Sequence, residues 1–129
     1  MECRINAEDP DRDFLPSPGK IENLIWPGGP GIRVDTHVYP GYTIPPYYDS
    51  LIGKIIAHGP SRAEAISVMQ RALRETLIGP VKSTLSLHEK ILNRPRFRQG
   101  KVGTNFIDSQ FAAGKIGTLE VRKEEESSE

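Results

Sequence analysis

From residue 2 to residue 57 the chain alternates between short segments of extended pattern and turns rich in proline and glycine, which leaves room there for short strands. Residues 2 to 8 carry the cleanest pattern. Cys3, Ile5 and Ala7 fall on one face, and Glu2, Arg4, Asn6 and Glu8 on the other, the period of two that marks a half-buried strand. Arg4 is therefore expected to point away from the core. A turn around Pro16, Pro18 and Gly19 separates this segment from a second strand expected over 20–26, and Pro27, Gly28, Gly29, Pro30 and Gly31 form the next turn.

A third strand is expected over 31–39, with Ile32, Val34 and Val38 inward and Arg33, Asp35, His37 and Tyr39 outward. Residues 40–49 hold Pro40, Gly41, Pro45 and Pro46 among Tyr42, Tyr47 and Tyr48, and read as a fixed loop. Leu51 to Ala57 is an almost continuous apolar run that suits a central strand.

Ser61 followed by Glu64 is a capping-box pattern, and Ile66, Met69, Leu73 and Leu77 recur behind it at helical spacing. This predicts a helix ending near Gly79 and Pro80. A shorter helix over 84–92 turns Leu87, Ile91 and Leu92 inward, with Asn93 and Pro95 stopping it. Beyond it the pattern is weak, and no internal repeat is visible. The polar run from Lys123 buries nothing, so one domain over 1–112 and a charged, disordered tail over 113–129 are expected. The fold class is α+β, an antiparallel sheet of several short strands followed by packed helices.

A chain of 129 residues, 36% of them hydrophobic, suits a single core that buries roughly two-thirds of the unfolded surface without metals or disulfides. Lys plus Arg and Asp plus Glu both number 17, which argues against nucleic acid as a partner. Basic and aromatic residues are not interleaved either, which disfavours oligonucleotide binding on the polar sheet faces. No apolar stretch approaches the roughly 20 residues of a membrane span. The single cysteine, Cys3, has no internal partner for a disulfide, which mildly favours a reducing setting, cytoplasmic or the mitochondrial matrix. Met1 runs straight into a strand-like segment, as though the chain had been cut from something longer.

His37, His58 and His88 are far apart and lack Cys or carboxylate neighbours at ligand spacing, so no metal site is expected and surface positions are. Cys3 lies on the apolar face of its strand and reads as a small buried hydrophobe. The glycine-rich turn lacks the Lys-Ser/Thr ending of a P-loop and precedes a strand. Glu8 and Asp9 are adjacent, so on a strand they face opposite ways; they read as turn residues ahead of Pro10. These features by themselves amount to a soluble α+β domain.

Three segments are more specific: residues 2–9 (ECRINAED) with 14–19 (FLPSPG), then 27–29 (PGG), then 45–50 (PPYYDS). In this order and spacing they resemble the C-terminal domain of biotin carboxylases, and 79–84 (GPVKST) resembles that family's segment between its two main helices. The likeness runs from Glu2 to about Phe106. It implies a barrel-like sandwich followed by helices, a rudimentary hybrid motif.

The family uses ATP and bicarbonate to make carboxyphosphate and carboxylates biotin on a carrier protein. By this resemblance Arg4 is the catalytic and biotin-binding arginine, set against the ureido oxygen as negative charge develops there, with an exposed strand arginine paired with Glu2 or Asn6 as the alternative. A guanidinium, always charged and with fixed donors, suits that task. Asp49 matches an acidic residue near the biotin pocket, with bracing of a turn as its alternative. Arg33 matches an arginine of the homodimer interface, although Pro30 departs from the aromatic residue of some relatives.

The family's ATP-grasp elements, which hold ATP and Mg, lie upstream of ECRINAED and are absent here. Expected partners are therefore an ATP-grasp domain, a biotin carboxyl carrier domain and a second copy, and the chain by itself is expected to be inactive. A noncatalytic module for dimerisation or carrier docking is the alternative.

Overall fold

The centre of the structure, a computed structural model that describes residues 1–46 and 49–110, is a strand formed by the apolar run of residues 51–57. The strands are β1 (Glu2–Asn6), β2 (Glu8–Asp9), β3 (Leu15–Pro16), β4 (Gly19–Lys20), β5 (Asn23–Ile25), β6 (Ile32–Thr36), β7 (Thr43–Ile44), β8 (Leu51–Ala57) and β9 (Leu77–Gly79). The helices are α1 (Arg62–Glu75), α2 (Leu85–Asn93), α3 (Pro95–Arg98) and α4 (Phe106–Gln110), with a 3-10 turn at Pro10–Arg12. The architecture is α+β.

β8 lies between β1 and β6, antiparallel to both, which explains why its sequence is apolar along most of its length. β1 pairs Cys3 with Ile55 and Arg4 with Lys54, and slips at a bulge so that Asn6 faces Leu51. Cys3, Ile5 and Ala7 are all buried, as their alternation predicts. α1 lies over the inner face of the sheet with Ile66, Met69, Ala72 and Leu73 buried. One cluster joins these residues to Ile5, Ile55, Ile21, Ile44 and Val81, so sheet, ladders and helix share a core. Each fully buried Ile or Leu contributes about 1.5–3 kcal/mol relative to an exposed one.

The strand expected over 20–26 is two pieces with different partners. β4 pairs with β7 and β5 with β9, and the exchange falls at Ile21, whose N–H bonds Tyr42 O, and Glu22, whose N–H bonds Gly79 O. The strand expected over 31–39 stops at Thr36, because the Thr36 hydroxyl donates to Ile52 O at 2.6 Å and accepts from Val38 N–H. The loop at 40–49 includes β7, and Tyr47 and Tyr48 lie outside the described residues, as does the expected tail.

α1 starts as predicted, with Ser61 Oγ accepting the Glu64 N–H, but ends at Glu75. Thr76 turns extended, its hydroxyl donating to Ala72 O, and Leu77 becomes an exposed strand residue instead of a fourth core position. α2 matches its expected bounds to within a residue, with Leu87, Ile91 and Leu92 buried. Arg94 is extended before Pro95, which opens α3.

Candidate functional site

The outer face of the three-stranded sheet carries the charged residues. Strand register lines up Arg4, Lys54 and Asp35 in one row and Glu2, Ile56 and Arg33 in the next. Arg4 is 64% exposed, and its Nε donates to Glu2 Oε2 at 3.2 Å. Its two terminal nitrogens bond to nothing else among the described residues. Arg33 pairs with Asp35 in the same in-strand manner, Nη2 to Oδ2 at 3.1 Å. Arg4 and Arg33 thus share one face, each tethered by a carboxylate two residues away.

β1 is an edge strand, so the polar groups on its outer side need partners. The start of α2 supplies them. Thr84 Oγ1 accepts the Asn6 N–H at 3.0 Å and donates to Arg4 O at 3.3 Å, while the Thr84 N–H bonds Asn6 O. His88 Nε2 lies 2.7 Å from Arg4 O, and because a carbonyl only accepts, this nitrogen carries the proton. Half-buried against β1, His88 has its pKa lowered from the ordinary value by burial, with the bond to Arg4 O opposing. Its expected surface position is thereby corrected: the ring braces the backbone of Arg4.

The segments 14–19, 45–50 and 79–84 are linked just past that strand, at Ala7 and Glu8. Ser50 Oγ donates to Glu8 Oε1 at 2.9 Å, Ala7 N–H bonds Ser50 O, Ser17 N–H bonds Ala7 O, and Lys82 N–H bonds Ser17 Oγ. Stretches around Ser17, Ser50 and Lys82, distant in sequence, are thus linked just past β1. Glu8 and Asp9 are themselves a short strand, β2, and Asp9 Oδ1 then caps the 3-10 turn through the Asp11 N–H.

Asp49 lies two residues before β8. Its Oδ1 accepts the Leu51 N–H at 3.1 Å, a turn-bracing bond, and it lines a cavity of about 320 Å³ with His37, Tyr42, Ile44, Pro45 and Leu51. Cys3 is buried as expected, and burial pushes its thiol pKa up to about 12, which keeps it protonated and unreactive. Sequence reasoning missed Thr84, His88 and Lys54. The available signals were the i, i+4 spacing of Thr84 and His88 at the start of a helix, and the one charge inside the apolar run 51–57.

Known proteins resemble this chain over most of its length. The family described as "Biotin carboxylase C-terminal domain" matches residues 2–109. The biotin carboxylase of Nostoc sp. is 58% identical over 107 residues, 83% of this chain and 24% of the relative. The biotin carboxylase of Haemophilus influenzae is 52% identical over 110 residues, 85% of this chain and 24% of the relative. Among solved structures, the biotin carboxylase domain dimer of Hydrogenobacter thermophilus 2-oxoglutarate carboxylase, in complex with MgADP, ADP and bicarbonate, superposes with a TM-score of 0.83 at 46% identity. That match covers 84% of this chain and 24% of the other. The chain thus spans about a quarter of the length of these relatives. With the match running through every segment that meets at Arg4, the chain belongs to the biotin carboxylase C-terminal domain family.

Proposed function

We propose that this domain forms the biotin-facing wall of an ATP-dependent biotin carboxylase. The observation that carries the reading is the state of Arg4: its backbone is pinned by Thr84 and His88, its Nε is held by Glu2, and its terminal nitrogens face outward without a partner among the described residues. Loss of the N1′ proton from biotin places negative charge on the ureido oxygen. A pre-oriented guanidinium meets that charge with two parallel donors and little reorganisation. Asp49, beside its cavity, is proposed to border the biotin pocket, and Arg33 to contact the second copy in a homodimer.

ATP, Mg and bicarbonate are assigned to an ATP-grasp domain that corresponds to the unmatched three-quarters of the relatives, and biotin to a carrier domain. MgADP and bicarbonate in the solved relative support the use of these ligands by the whole enzyme. The shared core of sheet, ladders and α1 supports a barrel-like sandwich. The proposed setting is the cytoplasm or the mitochondrial matrix.

The test is reconstitution: this chain mixed with the ATP-grasp portion, assayed for biotin-dependent ATP hydrolysis in bicarbonate. Restored turnover that falls about 100- to 1,000-fold with Arg4→Ala, the scale of a lost oxyanion donor, supports the reading. Dimerisation without turnover points instead to a noncatalytic dimerisation or carrier-docking module.

A further inference from the structure

We propose that Lys54 is a second cation of the anion site built around Arg4, an inference that rests on the biotin carboxylase reading above. Lys54 lies on the central strand directly opposite Arg4, on the same face of the sheet. Residues so paired have Cβ atoms about 5 Å apart, and like charges placed there are destabilising. The sheet nevertheless sets these two cations side by side. Its carboxylates relieve the conflict only in part, because Glu2 is engaged with Arg4 and Asp35, although opposite Lys54 on the other side, with Arg33.

Lys54 is left half-buried with no ion pair or hydrogen bond among the described residues. The rows therefore hold three cations against two carboxylates, and the unmatched charge sits beside Arg4. An oxyanion resting on this face would be met by both. The developing ureido oxygen has that chemistry: the guanidinium supplies directional donors and the ammonium a mobile point charge whose stem reaches from the next strand. An anion between the two cations turns their mutual repulsion into joint attraction, so the bound state gains what the free domain forgoes.

The experiment uses the enzyme reconstituted from this chain and the ATP-grasp portion, with free biotin as substrate. Two rates are read: biotin-dependent turnover, and bicarbonate-dependent ATP cleavage without biotin, which needs no ureido oxyanion. Lys54→Met is expected to lower kcat/KM for biotin by roughly 100-fold, the low end for removing one oxyanion donor, with ATP cleavage unchanged. Lys54→Arg, which keeps the charge, is expected to recover most of that loss. Normal biotin turnover in Lys54→Met, alongside an impaired Arg4→Ala, would make Lys54 an ordinary solvated strand charge and overturn the proposal. Parallel loss of both rates would overturn it too, as an effect on folding. An unimpaired Arg4→Ala would instead bring down the reading of Arg4 on which this inference rests.

Discussion

His88 Nε2 lies 2.7 Å from the backbone oxygen of Arg4, so helix α2 grips strand β1 at the residue to which the proposed chemistry is assigned. Leucine at 88 would leave that carbonyl with only the longer bond from Thr84. An under-satisfied buried group costs about 1–3 kcal/mol. The larger effect is expected on function, since a shift of about 1 Å in a positioned group can cost about 100-fold. His88→Leu should lower kcat for biotin carboxylation while sparing biotin-independent ATP cleavage. His88→Gln, whose amide can donate to the same oxygen, should restore it. Equal activity of the two variants would remove His88 as a positioning residue.

The same imidazole sets a pH dependence. Burial lowers its folded-state pKa below the ordinary 6.5, so below that pH the unfolded chain binds a proton that the folded chain resists. Stability is then fully present above about 6.5 and declines as the pH falls through the acid range. Denaturant midpoints measured between neutral pH and about pH 5 should drop for the native sequence and drop less for His88→Gln. Parallel curves would show that His88 does not carry this dependence.

Glu2 tests the difference between stability and orientation. Its ion pair with Arg4 joins side chains that are 41% and 64% exposed, and such pairs contribute about 0–1 kcal/mol. Glu2→Gln should therefore leave the melting temperature nearly unchanged. It should raise KM for biotin and lower turnover, because Nε loses its charged anchor and the guanidinium samples more rotamers. The comparison to make is thermal melting against biotin kinetics on the same preparation.

What could be read in the sequence follows from which interactions leave a periodic trace. The alternation at Cys3, Ile5 and Ala7 was legible because one face of β1 packs on the core and the other is open, and residues 51–57 because β8 is flanked on both edges. The break at Ile21 and Glu22 was not, since it depends on a change of ladder partner from Tyr42 to Gly79. Leu77 was misread because its spacing continues the helical pattern of Leu73, while Thr76 has already left the helix.

The site divides in the same way. Arg4 was reached by alternation and motif together. His88 and Thr84 act on a backbone carbonyl, a contact with no sequence period, and Lys54 becomes informative only once register places it opposite Arg4. The short helices α3 and α4 are too brief to show a pattern, although Phe106 of α4 is buried in a satellite cluster with Leu87 and Ile91.

Arg33 carries the proposed contact between copies. Its pair with Asp35 is exposed at both side chains, so the interaction adds little to the fold and leaves the guanidinium available to a second copy. Arg33→Glu places two carboxylates side by side at the proposed contact. Sedimentation of the reconstituted enzyme should shift toward monomer, with the melting curve of the domain nearly unchanged. A variant that stays dimeric would take Arg33 out of the interface.

Gly53 shows how tightly the strand beneath the site is packed. A Cβ there would lie 2.8 Å from Trp26 Cη2, closer than carbon contacts allow, and 3.0 Å from Thr36 Cβ, tighter than most. Relief requires moving the Trp26 ring, packed against the main core, or spreading β8 from β6. Overpacking of this kind costs about 1–3 kcal/mol. Gly28 makes a matched control, since a Cβ at that position meets nothing within 4 Å. Gly53→Ala should lower the denaturant midpoint and shift the emission of Trp26, the single tryptophan, whereas Gly28→Ala should do neither. Because Gly53 precedes Lys54 and faces Ile5 next to Arg4, the displaced backbone should also reduce biotin turnover. Indistinguishable midpoints for the two variants would mean that β8 yields easily at this point, and that its packing does not hold Arg4 and Lys54 in register.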